Sequence, residues 1–397
     1  MNVLADRLER LEASATLAMS QKSQELREQG VDVVNLSVGE PDFNTPEATK
    51  TAAKLAIDEN YSHYSPVAGY KMLREAVADK LKRENGLKYS PSQVLCSNGA
   101  KQCICNVLLA LVNEGDEVLI PAPYWVSYPQ MAKLAGGTPV FVRSDIERGF
   151  KVSPEDLEAS ITERTRVFIL CSPSNPTGAV YSRKEIESLA EVLVKHPNII
   201  IISDEIYEHI NYTGEYASLA QVGALKDRVV VVNGVSKAYA MTGWRIGFLA
   251  AAEWIVKGCN KLQGQYTSGP CSVSQMAAVA ALSGDQSPVE QMRQAFLRRR
   301  DLIVDLASQL PGFEVAKPDG AFYIFPRVSG LFGKRCGERV IGNSSDFAMF
   351  LLEEAHVASV GGDAFGAPGY VRFSYATSED NIRRAMLSIA GALKRLS

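Results

Sequence analysis

Histidine is scarce in this chain: His63, His196, His209 and His356 are the only four in 397 residues. The seven cysteines are an odd number, and none forms a Cys-x-x-Cys pair. A zinc centre needs thiolates and imidazoles converging at short spacings, so no metal site is expected. A histidine-based nucleophile triad is short of candidates for the same reason. No apolar run approaches the roughly 18 residues that span a bilayer. Met1–Glu12 alternates charge with leucine and has no apolar centre of signal-peptide length. Excess charge of one sign is missing too: 42 Lys plus Arg face 45 Asp plus Glu, a net of −3. Neither nucleic acid nor a membrane is therefore expected as a partner. The cysteines are expected reduced and mostly buried, in a cytoplasmic protein. Asn211-Tyr-Thr and Asn343-Ser-Ser fit the glycosylation pattern, and without a secretory signal they read as chance matches.

What is present points to α/β architecture. Hydrophobic residues at 46% and charged residues at 22% suit a globular chain, and the length suggests two to three cores of about 150 residues each. Short apolar runs at Val118–Ile120, Val140–Val142, Val167–Leu170, Ile199–Ile202, Val229–Val232 and Ile246–Ala251 alternate with helix candidates such as Lys101–Val112 and Arg183–Val194. The runs are continuous, as expected where helices cover both faces of a mainly parallel sheet. After about residue 285 the pattern changes. Val289, Met292, Phe296, Ile303, Leu306 and Leu310 mark one long helix, with Arg298-Arg299-Arg300 as a solvated face. Strands at Phe313–Ala316, Ala321–Phe325 and Val371–Ser374 and helices at Asp346–Ala355 and from Asn381 suggest a smaller α+β domain. Arg327 to Asn343 reads as a surface loop whose positive charges solubilise it. The expected division is an N-terminal segment 1–45 belonging to the small domain, a large domain 46–287 and a C-terminal small domain 288–397.

Three strand ends converge on chemistry. The strand reaching Cys171 leads into Ser172-Pro-Ser-Asn175-Pro-Thr-Gly178, where Asn-Pro-x-Gly suits a type I turn. Ile199–Ser203 leads into Asp204-Glu-Ile-Tyr207, and Val229–Val232 into Asn233-Gly-Val-Ser236-Lys237. Ligands of open α/β sheets bind beyond such ends. Singly, Asp204 reads as a cap of the next helix and Lys237 as an exposed loop lysine. Together they match what pyridoxal phosphate requires. A lysine in a buried site loses its proton and captures the aldehyde, and a carboxylate keeps the pyridine nitrogen protonated. Asn175 and Tyr207 suit the ring oxygen, and Trp125 suits the ring face or an ordinary core. Ser97-Asn-Gly99-Ala100-Lys101 precedes a helix whose free N–H groups suit the phosphate, and Arg245 offers a bidentate clamp.

In these motifs the chain resembles the class I aminotransferases of pyridoxal-phosphate fold type I. The matching stretches are Gly39-Glu-Pro-Asp-Phe43, Pro123-Tyr-Trp-Val-Ser-Tyr128, Asn175-Pro-Thr-Gly178, Asp204-Glu-Ile-Tyr207, Ser236-Lys237 and Met241-Thr-Gly-Trp-Arg-Ile-Gly247, with Tyr64 and Arg372 by local context. The resemblance runs from about residue 5 to the C-terminus and is nearest to bacterial-type aspartate and plant and bacterial prephenate aminotransferases. It implies Lys237 as the lysine that holds the cofactor and later moves the substrate proton. It also implies Asp204 at the ring nitrogen, with Asn175 and Tyr207 at the ring oxygen and Trp125 over the ring. Gly99, Ala100, Ser236 and Arg245 would bind phosphate beside Lys101, joined by Tyr64 from the other subunit of a homodimer. Arg372 and the Gly39 backbone would hold the substrate α-carboxylate, with Trp125 and Asn175 near the substrate.

For the substrate, the resemblance implies that Lys101 and Thr16 receive the second carboxylate of prephenate. The bland reading of Lys101 is a helix-start lysine facing solvent, at the end where the dipole disfavours a cation. Where many relatives carry Lys-Pro-Ser-x-Thr, this chain has Glu12-Ala-Ser-Ala-Thr16. The expectation is transamination from glutamate or aspartate to prephenate, giving arogenate in amino-acid biosynthesis, with aspartate activity. The alternative is an aminotransferase for aspartate, aromatic amino acids or alanine without prephenate use. A lyase or racemase also fits the cofactor residues, and Arg372 with Lys101 favours transamination over these. A dinucleotide dehydrogenase lacks its Gly-x-Gly-x-x-Gly signature. A non-enzymatic regulator would bring a DNA-binding segment and a basic face, neither of which is visible.

Overall fold

The computed structural model describes residues 4–397, so Met1, Asn2 and Val3 of the expected N-terminal segment lie outside the described residues. Seven strands build the central sheet: β1 (Val94–Ser97), β2 (Glu117–Ala122), β3 (Thr138–Arg143), β4 (Thr165–Cys171), β5 (Ile200–Asp204), β6 (Val229–Gly234) and β7 (Gly247–Ala250). Their order is β1-β7-β6-β5-β4-β2-β3, parallel throughout except for β7, which is antiparallel to both neighbours. The unbroken apolar runs follow from this burial. Ile199 and Ile201 enter one apolar cluster and Ile200 and Ile202 another; Val229 to Val232 divide the same way. Side chains on a strand point alternately to opposite faces, and here both faces are covered.

Helices important below are α1 (Ala15–Glu28), α2 (Ala100–Leu111), α3 (Ser127–Leu134), α4 (Arg183–Lys195) and α5 (Ser287–Ser308). A further cluster joins the chain's two ends: Val34 and Leu36 pack with Phe296, Phe322, Phe347 and Val371. Val34–Asn35 pairs in parallel with Val357–Ala358, and Val371–Ser374 lies antiparallel between Val360–Gly361 and Tyr323–Ile324. Register sets the site. Cys171 lies opposite Asp204, and Asp204 opposite Val232, so β4, β5 and β6 finish side by side. Among the described residues no helix is long and apolar enough to cross a membrane.

Several expectations are corrected. Phe313–Ala316 is no strand, because only Glu314 bridges to Arg327 before Pro318, which has no N–H to extend a ladder. The 327–343 stretch is anchored rather than loose: Val328, Leu331 and Ile341 are buried, and Arg335–Cys336 pairs with Arg339–Val340. Two of its arginines are also engaged, Arg327 with Glu147 and Glu314, and Arg339 with Glu353. The seven cysteines are free as expected, but only Cys96, Cys103 and Cys259 are buried, and Cys271 is exposed. Distant residues also bring Glu84, Glu208 and His209 together, a grouping that spacing did not reveal. The Lys80 ammonium pairs with Glu208 and lies 3.5 Å from Glu84, supplying the positive charge there.

The Arg298–Arg300 run is not one solvated face. Arg298 is exposed, but Arg299 pairs with Asp42, and Arg300 is buried. Arg300 donates to Pro318 O at 3.2 Å and to Asp301 at 2.8 Å, with its guanidinium 4.7 Å from the centre of the Tyr212 ring. Three consecutive positions on a helix span about 200°, so they cannot all face solvent on a packed helix. Replacing Arg300 by Ala is expected to destabilise the protein by about 2 kcal/mol, against within about 0.5 kcal/mol for Arg298→Ala. Urea denaturation of both variants checks this, and equal effects would restore the solvated-face reading.

Candidate active site

A cavity of about 330 Å³ opens where β4, β5 and β6 end. It is lined by Thr16, Gly39, Ala100, Lys101, Trp125, Asn175, Asp204, Tyr207, Ser236, Lys237, Arg245 and Arg372, which brings together nearly every expected site residue. Gly99 sits directly behind as the N-cap of α2. Tyr64 does not reach the cavity. It is 99% exposed and borders a separate surface groove with His63 and Cys271.

Asp204, the last residue of β5, is buried. Its Oδ2 accepts from Tyr128 OH at 2.6 Å and its Oδ1 from the Ile206 N–H at 3.2 Å. The second bond closes a turn, and no helix begins there, so Asp204 is not the helix cap of the bland reading. Burial pushes its pKa up to about 6, opposed by Tyr128, the Ile206 N–H and the Lys237 charge. Lys237 is no surface lysine: its Nζ donates to Gly39 O at 2.6 Å. Desolvation brings its pKa down to about 8, helped by Arg372 and Arg245 and opposed by Glu40 and Asp204.

Arg372 is sandwiched between the Tyr323 and Phe365 rings, 4.6 and 4.9 Å from their centres. It donates to Asn175 Oδ1 at 2.9 Å and Ser37 O at 2.5 Å, and its Nε is buried without a partner. The expected type I turn at Asn175 is replaced by a wider one, in which the Gly178 N–H reaches Ser174 O at 2.9 Å. The reason is docking: Gly178 O accepts from the Asp319 and Gly320 N–H groups, and a Cβ at Gly178 would strike Pro318.

The opposite wall suits an anion. Gly99 has φ of +85°, a conformation glycine adopts without penalty, and a Cβ there would collide with the Arg245 guanidinium. No side chain caps α2, so its first N–H groups are free for a ligand. Arg245 is held by Thr242 O at 2.8 Å and Asn98 O at 3.1 Å. Lys101 keeps solvent-exposed surface, as a helix-start lysine would, yet its Nζ lies 4.9 Å from the centre of the Trp125 ring in the cavity wall. Desolvation there and the Arg245 charge lower its pKa.

Two lining tyrosines escaped the sequence reading. Tyr323 OH lies 2.8 Å from Tyr207 OH, and a Cβ on Gly39 would strike it. Tyr128 ends the Pro123–Tyr128 motif, and that membership was its only signal. Glu12, by contrast, turns away from the cavity: it pairs with Lys133 at 2.9 Å, and its N–H donates to Gln130.

The sequence and the fold have counterparts among known proteins. The profile described as aminotransferase class I and II matches residues 31–389. An aspartate/prephenate aminotransferase of Cereibacter sphaeroides is 48% identical over the full length of both chains. A bifunctional aspartate aminotransferase and glutamate/aspartate-prephenate aminotransferase of Petunia hybrida is 46% identical over 98% of this chain and 82% of its own. The solved aspartate aminotransferase of Rhizobium meliloti superposes with a TM-score of 0.96 at 42% identity, covering all of both chains. With the profile spanning most of the chain and relatives matching it end to end, the chain belongs to the class I and II aminotransferase family.

Proposed function

We propose that this protein transfers amino groups from glutamate or aspartate to prephenate, giving arogenate, and also acts between aspartate and 2-oxoglutarate, with pyridoxal phosphate as cofactor. The observation that carries this reading is one cavity holding a buried carboxylate, a low-pKa amine and an anion cradle, with cations at both walls. The donor set suits the cofactor. Asp204 would hold the ring nitrogen, Asn175 and Tyr207 the ring oxygen, and Gly99, Ala100, Ser236 and Arg245 the phosphate. Bound pyridoxal phosphate supplies an aldehyde that takes up the amino group and a ring that draws electrons from the substrate α-carbon.

The chain's own groups do the rest. Lys237 Nζ, neutral above about pH 8, would hold the aldehyde and carry the proton at the α-carbon. Arg372, fixed between two rings, binds the α-carboxylate, and Trp125 closes one face against water. Lys101 and Thr16 line the wall available to a second carboxylate. Glu12 favours a second reading, aspartate use without prephenate, because the family resemblance implies lysine there in many relatives and this side chain is engaged by Lys133. We further propose a homodimer in which each chain lends Tyr64 to its partner's phosphate site. Its full exposure and distance from its own cavity support this. The division 1–45, 46–287 and 288–397 is supported by Val34 and Leu36 packing with the C-terminal cluster. A cytoplasmic setting is supported by seven cysteines without a disulfide.

The deciding experiment loads the enzyme with an amino group and offers prephenate; no return of the aldehyde-loaded absorbance would leave the aspartate-only reading. Lys101→Ala is expected to lower kcat/KM for prephenate about 10- to 100-fold, the worth of a charged hydrogen bond, and to spare alanine. Steady-state kinetics on both substrates measures this.

Lys237→Ala should abolish turnover. In cofactor-free protein the lowered Lys237 pKa means the native chain binds fewer protons than the unfolded one between about pH 8 and 10.5. Stability contributed by this group therefore rises with pH through that window. Lys237→Met should lack the rise and be more stable at pH 7 by on the order of 1 kcal/mol; denaturation at pH 7 and 10 reads both. Mixing Tyr64→Ala with Lys237→Ala chains should regain activity that neither has alone, since one site of each mixed dimer is then intact. No gain in mixed dimers removes Tyr64 from a shared site.

A further inference from the structure

We propose that Tyr128 is a positioning residue for Asp204: its buried hydroxyl donates to Oδ2 and keeps that carboxylate ionised and aimed at the cavity, a role resting on the cofactor reading above. Tyr128 is 2% exposed and Asp204 3%, so water does not substitute for the bond. Each Asp204 oxygen has one protein donor, Tyr128 OH on Oδ2 and the Ile206 N–H on Oδ1. Their remaining lone pairs are left for a ligand in the cavity that Asp204 lines.

A buried tyrosine hydroxyl usually finds a partner, which alone would be a packing role. The partner's identity makes the difference. A hydroxyl donating at 2.6 Å to a carboxylate stabilises the charged form over the neutral one. The titratable groups around Asp204 are Tyr128 from α3, Cys171 from β4, Cys103 from α2 and Lys237 from the loop after β6. Burial raises both thiols and holds the Tyr128 phenol well above its ordinary value, so all three are neutral at working pH. Tyr128 is thus the one neutral side-chain donor acting against the desolvation of Asp204, beside the Ile206 N–H and the more distant Lys237 charge. With a midpoint already near 6, loss of that donor brings the carboxyl close to half neutral at pH 7. A neutral Asp204 no longer holds a proton on a ring nitrogen.

The geometry is set locally. Trp125, just before α3, and Tyr128, in its first turn, pack edge to face at 5.3 Å. One stretch of chain thereby closes the cavity with one ring and holds Asp204 with the next.

The test follows Asp204 by carboxyl infrared absorption in cofactor-free protein, with Asp204→Asn to assign the signal. Tyr128→Phe keeps the ring and should raise the Asp204 midpoint by about one pH unit; an unchanged midpoint overturns the proposal. Should Tyr128→Phe fail to fold, Tyr128→His reads the same quantity with an N–H donor. A midpoint at or below the unsubstituted value supports the proposal, and a rise overturns it. In loaded enzyme, Tyr128→Phe should lower kcat about twofold near pH 7 and about fivefold near pH 6 while leaving KM nearly unchanged, the loss shrinking as pH rises. The cofactor reading has its own readout in these samples, visible absorption on adding pyridoxal phosphate that Lys237→Ala lacks. Its absence from unsubstituted protein would count against the cofactor and leave the Asp204 titration interpretable.

Discussion

Desolvated charge is the constraint on which this structure turns. Asp204, Lys237 and Arg372 face one cavity, and burial pushes each toward its neutral form: Asp204 upward, Lys237 and Arg372 downward. An unpaired charge in a low-dielectric interior costs several kcal/mol. Pairing the three with one another would remove that cost and also consume the groups. The protein instead gives each its own fixed partners. Asp204 has Tyr128 and a backbone N–H, Lys237 has Gly39 O, and Arg372 has Asn175, Ser37 O and two aromatic faces. Each charge is supported without being neutralised, the condition for acting on a substrate.

That support draws on distant parts of the chain. Ser37 and Gly39 come from the N-terminal segment, Tyr323 and Arg372 from the C-terminal part, and Asp204 and Lys237 from the central sheet. A buried ionic cluster steadies the segment after Asp204 from behind. The Lys80 ammonium pairs with Glu208 and donates to Asn85, while Glu205 accepts from Ser203, Ser218 and Tyr216. Glu205 is pushed up to about 7 by burial and by nearby Glu208. These contacts hold both ends of the Asp204–Tyr207 turn, so the carboxylate and the phenol keep their spacing.

The fold was largely legible because its strands are buried on both faces, and continuous runs such as Ile199–Ile202 state this directly. The candidate site was legible where a residue follows a strand end or belongs to a motif, as with Asn175, Asp204, Lys237 and Arg245. Reading failed where one residue type serves two environments. Arg298, Arg299 and Arg300 look alike in sequence, yet only Arg300 reaches Pro318 O, 18 residues away. Phe313–Ala316 alternates like a strand, but Pro318 and the docking of Gly178 on Asp319 and Gly320 leave it a single bridge. Tyr128 and Tyr323 were not singled out as site residues because nothing in their local pattern tells a packed hydroxyl from one bonded to a site residue.

Local chemistry and periodicity were enough to determine the α/β class, the strand ends that meet at the cavity, and a lysine, a carboxylate and basic groups placed there. Backbone sterics and side-chain alternation act over a few residues, so a linear string records them. The tertiary structure alone decided which of those groups meet, what holds each one, and how far each pKa moves. Those outcomes depend on desolvation and on partners up to hundreds of residues apart, such as Arg372 with Ser37 and Tyr128 with Asp204. They exist only once the strands and both chain ends have packed.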